Sequence, residues 1–203
     1  PRVILALDRT ADSIRAARVR TDTARPEACD AAEFPANTPI PAEFADCDSI
    51  LTAVPDNRTV VKYLFLPGQT ADPIDRARFE LTASLTGAES DYLTDIIFTG
   101  LDGLYLGIAA RTEAIERPDI SSDSPTNPLT TPPKTAARSV ALAHGYLAYC
   151  TPAASGLVVL LDLSPGFCSV ALIHNRHLVG LAGLPLQNLD LTLAPHRERF
   201  AIE

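Results

Sequence analysis

Two segments near opposite ends of this chain share one pattern, and the repetition narrows the folds open to it. Val3-Ile4-Leu5-Ala6-Leu7-Asp8 and Leu157-Val158-Val159-Leu160-Leu161-Asp162 are each a β-branched and leucine-rich run closed by an aspartate. Runs this short read as strands, and an aspartate at the end favours a turn because its carboxylate accepts from nearby backbone amides. Each is followed within a few residues by a second apolar strand. These are Ile14-Arg15-Ala16-Ala17-Arg18-Val19 after Arg9 to Ser13, and Cys168-Ser169-Val170-Ala171-Leu172-Ile173 after Leu163 to Phe167. A strand, Asp-turn, strand unit is therefore expected twice.

Length and charge exclude several classes. At 203 residues the chain can form one large domain or two small ones. A hydrophobic share of 46% with 21% charged residues is ordinary for a soluble globular protein, and no apolar run is long enough for a membrane-spanning helix. A net charge of -8 without a Lys/Arg cluster argues against nucleic-acid binding, which needs clustered cations against phosphate. Pro1-Arg2-Val3 leads straight into a strand without the features of a signal peptide, so a cytosolic chain trimmed of its initiator Met is expected. Cys29, Cys47, Cys150 and Cys168 form no C-x-x-C pair, which points to reduced thiols rather than zinc ligands or a disulfide framework.

Between the two units the organisation is uneven. Residues 1 to 21 predict a hairpin, and residues 22 to 48, with Pro26, Pro35, Pro39 and Pro41, predict a meandering loop. Ser49 to Val54 and Thr59 to Leu66 read as strands, the second stopped by Pro67-Gly68. A helix follows with Asp72 as N-cap and Pro73 at its first position. It carries Ile74, Ala77, Leu81 and Leu85 on one face and runs to Gly87. Asp91 to Phe98 and Leu104 to Ala110 are strands joined by the turn-prone Gly100-Leu101-Asp102-Gly103. Residues 118 to 133 are mainly Pro, Ser, Thr and Asp and read as a linker. Thr135 to Cys150 reads as a helix turning Ala137, Val140, Ala141, His144, Leu147 and Ala148 toward a core.

This order of elements resembles the PilM pilus-assembly family and the cytoplasmic part of the GspL type II secretion family, both within the actin-like superfamily. The resemblance is carried by Lys62-Tyr63-Leu64-Phe65-Leu66-Pro67, by Phe79-Glu80-Leu81, by Asp91-Tyr92 and by Gly107-Ile108-Ala109-Ala110, set between the two hairpins. It covers most of residues 1 to 190 and rests on order more than on any single motif. It implies an α/β fold of actin-like, ribonuclease H-like units with a small α+β insert, truncated before the second domain is complete. Residues 1–51 and 134–150 would form the first unit, 52–117 the insert, 118–133 the linker and 151–203 the start of the second unit. Asn188 to Glu203 would enter a further helix, with the adenine-binding region absent.

A working actin-like ATPase carries Asp-x-Gly-(Ser/Thr)-x-(Ser/Thr) in its first turn, where glycine lets backbone amides approach phosphate. Here that turn is Asp8-Arg9-Thr10-Ala11-Asp12-Ser13, without the glycine and with an added negative charge at Asp12. The second turn reads Asp162-Leu163-Ser164, with Gly166 displaced beyond Pro165, which has no N–H to donate. Asp8, Arg9, Thr10, Ser13, Asp162, Ser164 and Gly166 are therefore expected to be vestigial phosphate-turn positions. Alternatively, Arg9 replaces the lost amides by charge. As plain residues, Asp8 and Asp162 are strand-end turn formers.

Other constellations are weaker. His174 and His177 flank a turn without a third metal ligand nearby, and Ser164-Pro165-Gly166 lacks the G-x-S-x-G of a hydrolase elbow. His144 reads as a hydrogen-bonded core histidine. Tyr63, Phe65, Tyr92, Phe98 and Tyr105 lie on strands, where packing is the default role. Tyr63 and Phe65 alternate with Leu64 and Leu66, so the two pairs face opposite sides, and Tyr63 and Phe65 are the candidate partner-binding residues.

The resemblance implies a non-catalytic scaffold without cofactor at the inner face of the inner membrane. It would bind the cytoplasmic tail of an inner-membrane assembly protein or an assembly ATPase. Membrane association would come through that partner or a missing C-terminal segment. The alternative is a nucleotide-binding actin-like ATPase or kinase relative, using ATP and Mg, present as an N-terminal fragment.

Overall fold

The computed structural model describes residues 2–21, 26–66, 72–115, 134–150, 156–164 and 166–186. Three sheets organise them.

The first sheet holds five strands in the order β3-β2-β1-β4-β8. Strands β1 (Val3–Arg9), β2 (Ser13–Arg20) and β3 (Glu27–Pro35) form an antiparallel meander, and β4 (Ser49–Val54) pairs parallel to β1 over Ile4 to Leu7. Alternation puts Leu5, Leu7, Ile14, Ala16 and Ile50 on one face, where Ile40 and Phe44 cover them. Phe44 comes from the one-turn helix α1 (Ala42–Ala45), and its ring meets Phe34 of β3 edge-on at 5.5 Å. The loop expected over residues 22 to 48 thus contains a strand and a helical turn. Strand β3 shows little apolar alternation because it is an edge strand, and it forms because β2 offers a complete row of backbone partners.

The second sheet, in the order β5-β7-β6, is the predicted insert: β5 (Thr59–Phe65), β6 (Tyr92–Phe98) and β7 (Leu104–Arg111), all antiparallel. Helix α2 (Pro73–Thr82) lies on one face and buries Ala77 and Leu81 against Leu64, Leu66, Tyr105 and Ala109. The Asp72 carboxylate accepts from the Asp75 amide, as its N-cap position predicts. The helix stops at Thr82 rather than near Gly87, and Ile74 stays half exposed. Gly107 lets Leu64 and Leu81 close over the sheet, since a Cβ there would lie 3.0 and 3.1 Å from their methyls. The 51/52 boundary expected for the insert falls inside β4, which still pairs with β8 up to Val54.

The helix expected from Thr135 begins later. Lys134–Ala137 is strand β8, parallel to β4, and only Arg138–Tyr149 is helical, as α3. Backbone pairing with β4 overrides the helical preference of this alanine-rich stretch. Ser139, Val140 and Ala143 are the buried positions of α3, and His144 is exposed, so it is not the core histidine that the periodicity suggested.

The third sheet is the antiparallel meander β11-β10-β9, with β9 (Leu157–Ser164), β10 (Phe167–His174) and β11 (His177–Pro185). Ala171, Ile173, Leu178 and Leu181 pack with α3 and with Leu106 and Ile108 of the insert. Asn175 and Arg176, at φ 49 and 67, make the left-handed two-residue turn that suits a tight hairpin. The linker expected at 118–133 and the helix expected at 188–203 lie outside the described residues. Among the described residues no helix is long and apolar enough to cross a membrane.

Candidate functional site

The ends of the two Asp-turn hairpins come together around one side chain. Arg138, the first residue of α3, donates from Nε and Nη2 to Asp8 Oδ1 at 2.9 and 2.7 Å, and from Nη2 to the Arg9 carbonyl at 2.9 Å. Its Nη1 donates to Ser164 Oγ at 3.1 Å, and its Nε lies 4.0 Å from Asp162 Oδ2. The Arg138 side chain is only 13% exposed, against 25% for Asp8 and 27% for Asp162. Asp8 and Asp162 do not form the turns as expected but lie inside β1 and β9, paired with Arg15 and Ser169, and they share one partly buried guanidinium, whose planar fork of donors suits several oxygens at once.

Beside it opens a cleft of about 620 Å³, lined on one side by Arg9 to Ser13 and on the other by Leu163, Ser164 and Phe167. The first turn is closed by its own groups. The Thr10 amide donates to the Ser13 carbonyl at 2.8 Å, and the Ser13 amide donates to Thr10 Oγ1 at 3.0 Å. The Ser13 hydroxyl donates to Glu33 Oε1 across the β2–β3 pairing. This bond, assisted by the charge of Arg15, holds the Glu33 carboxyl below its ordinary value despite an opposing desolvation. Glu33 and Asp12 both line the cleft. In the second turn Gly166 adopts φ +78, and its carbonyl accepts from the Leu186 amide at 2.9 Å.

The floor carries a second ionic device. Asp56 sits in the 3₁₀ turn Asp56–Arg58, and its carboxylate accepts from the Ser139 amide at 3.1 and 3.3 Å and from the Ser139 hydroxyl at 2.8 Å. The N-cap residue of α3, Ala137, has no side chain that can accept, so Asp56 caps the helix from a distant segment and places a negative charge at its positive end. Thr52 lines the same cleft, 4% exposed, with Oγ1 lacking a protein partner.

All seven turn positions singled out in the sequence fall at the two hairpin ends. Arg138, Asp56 and Glu33 were not among them. One signal for Arg138 was available: a cation in the first turn of a helix opposes the helix dipole and calls for a compensating anion. The other proposed residues lie elsewhere. Tyr63 Oη donates to the Leu181 carbonyl at 3.0 Å and accepts from the Leu181 amide at 3.1 Å, joining the insert to β11, while the residue as a whole stays 51% exposed. Phe65 is 65% exposed on the same face of β5. His177 carries the turn end of β11 against the insert, with its ring 6.4 Å from that of Phe98.

No family model and no curated protein matches the sequence. Solved structures do match its fold. The chain is similar to one from a PilM-PilN type IV pilus biogenesis complex, with a TM-score of 0.63 and 16% identity over 99% of this chain and 70% of that one. It is also similar to a Bacteroides thetaiotaomicron protein of actin-like ATPase fold and unknown function, with a TM-score of 0.50 and 6% identity over 99% of this chain and 75% of that one. A third match is the cytoplasmic domain of EpsL, an inner membrane component of the type II secretion system of Vibrio cholerae. It has a TM-score of 0.50 and 10% identity over 95% of this chain and 75% of that one. At these identities the likeness concerns the fold, which is actin-like and of the PilM/GspL kind.

Proposed function

We propose that this protein is a non-catalytic actin-like scaffold of a pilus or type II secretion assembly apparatus. It would work at the cytoplasmic face of the inner membrane and hold the cytoplasmic tail of a membrane-bound assembly partner. The observation that carries the non-catalytic reading is the Arg138 guanidinium held by Asp8 and near Asp162. An actin-like ATPase needs carboxylates at the hairpin ends to orient metal-bound water, and turn amides that face phosphate. In this chain a fixed cation is bonded to Asp8 and stands 4.0 Å from Asp162, offsetting one of the two charges, and the Thr10 and Ser13 amides are engaged within their own turn. Asp12 and Glu33 stand on this wall beside the cations Arg9, Arg15 and Arg58, so the engaged carboxylate and amides, and not the net charge of the lining, support the non-catalytic reading.

The assembly role is supported by fold likeness to a chain of the PilM-PilN complex and to the EpsL cytoplasmic domain. The partner surface we favour is the edge of β5 beside the exposed side chains of Tyr63 and Phe65, where an extended peptide would gain main-chain pairing at the edge and side-chain contacts on the face. The mechanism is binding alone, without bond chemistry.

Two titrations test the reading. Calorimetry with Mg-ATP should show no saturable heat, and micromolar binding abolished by Asp8→Ala would overturn the non-catalytic assignment. Fluorescence titration with peptides from the cytoplasmic tails of candidate membrane-bound assembly proteins should show binding that Phe65→Asp weakens. Undiminished affinity in that variant would place the partner site off β5.

A further inference from the structure

The five-stranded sheet and the β9–β11 sheet share no hydrogen-bonded strand pair among the described residues. The chain passes directly from one to the other at a single step: Ala137 ends β8 in the first sheet, and Arg138 begins α3, whose buried face packs on β10 and β11. The guanidinium at this junction reaches back to Asp8 and the Arg9 carbonyl in the first sheet, and across to Ser164 and Asp162 in the other. We propose that Arg138 is an ionic latch that sets the separation of the two hairpins and so the width of the cleft between them. This inference stands apart from the assembly role proposed above.

The physical argument turns on what remains when the cation goes. Asp8 and Asp162 are both within reach of one guanidinium, and each is about three-quarters buried. Without Arg138 they become two like charges facing each other with incomplete solvent screening, so attraction through a shared cation is replaced by repulsion. Arg9, Arg15 and Arg58 also line the cleft and offset part of this repulsion. Arg15 lies 3.9 Å from Asp8 Oδ2 but also 3.6 Å from Glu33, and it is mostly exposed. On the second hairpin Ser164 is a neutral hydroxyl. The cleft is then expected to widen, with α3 as the pivot.

The test measures distance between the sheets in the whole chain. Cys29 is exposed on β3 and serves as one spin-label site, and Leu161→Cys on the exposed face of β9 gives the other, with Cys47 and Cys150 replaced by Ser. Double electron–electron resonance should give one narrow distance in the otherwise native chain and a longer, broader distribution in Arg138→Met. Adding Asp162→Asn to Arg138→Met removes one of the opposed charges and should shift the distribution back toward the native distance. An unchanged distribution in Arg138→Met overturns the latch, and so does a broadened one that Asp162→Asn leaves as it is, because the restraint is then packing and not charge. Should Arg138→Met fail to fold, Arg138→Lys keeps the charge and stem but loses the fork, and is expected to give an intermediate distribution. In that variant a native or intermediate distribution supports a latch held by charge, and a distribution with no population near the native distance overturns it.

Discussion

Replacing Asp56 by Ala tests whether α3 depends on a cap supplied from a remote turn. The carboxylate makes three contacts to Ser139: two to the amide at 3.1 and 3.3 Å and one to the hydroxyl at 2.8 Å. Loss of a capping acceptor costs about 1 kcal/mol. Loss of a negative charge at the positive helix end adds about 0.5 kcal/mol. Ser139 is 2% exposed, so its hydroxyl would be left buried without this acceptor, a penalty of about 1–3 kcal/mol. The three contributions overlap, and Asp56→Ala is expected to lose about 2–3 kcal/mol in all. Asp56→Asn keeps an acceptor and loses only the charge, so about 0.5–1 kcal/mol is expected. Ser139→Ala removes the hydroxyl together with its need for a partner, and the Asp56→Ala/Ser139→Ala double variant should lose less than the sum of the two single changes. Urea unfolding followed by circular dichroism reads these as midpoint shifts at constant slope. A loss below about 0.5 kcal/mol for Asp56→Ala, or strict additivity in the double variant, would show that α3 is held by packing and not by this cap.

Three further outcomes are expected. Glu33 has a folded-state carboxyl held below its ordinary value, first by the Ser13 hydroxyl. Its contribution to stability is therefore present above the ordinary carboxylate range and lost as pH falls through the lowered value. Ser13→Ala should move its NMR titration midpoint upward, and an unmoved midpoint would assign the shift to Arg15. Gly100 has φ +75, and a Cβ there would lie 2.5 Å from the His177 ring, so Gly100→Ala should cost about 1–3 kcal/mol in thermal unfolding. Adding His177→Ala should recover the steric part and leave the backbone part. Cys168 is 1% exposed and burial raises its thiol pKa, whereas Cys29 and Cys150 are exposed. Alkylation at pH 8 followed by mass spectrometry should modify Cys29 and Cys150 first and Cys168 only on unfolding.

Where a feature depends on neighbours a few residues away, the sequence alone determined it. Ser49–Val54 reads as a strand because it is a short apolar and β-branched run stopped by Pro55, and Asp72 caps α2 because its carboxylate meets an amide three residues on. The β6–β7 turn follows from Gly100 and Gly103, both at positive φ. The repeated strand-and-aspartate pattern placed both hairpins and, through resemblance, the actin-like fold.

Other features arise only from pairing across the fold, and there local periodicity carries no signal. Strand β3 mixes small apolar and charged residues without a clean alternation and exists because β2 supplies its ladder. Strand β8 is alanine-rich and is drawn out of the helical pattern by β4. His144 satisfies helical spacing yet faces solvent, because the tertiary packing rotates the buried face of α3 toward Ser139, Val140 and Ala143. The site shows the same division. The turn residues were legible, but Arg138 meets Asp8 across 130 positions and Asp56 meets Ser139 across 83. A hydrogen bond or an ion pair depends on atoms a few ångströms apart, and over such separations only the folded chain brings them there.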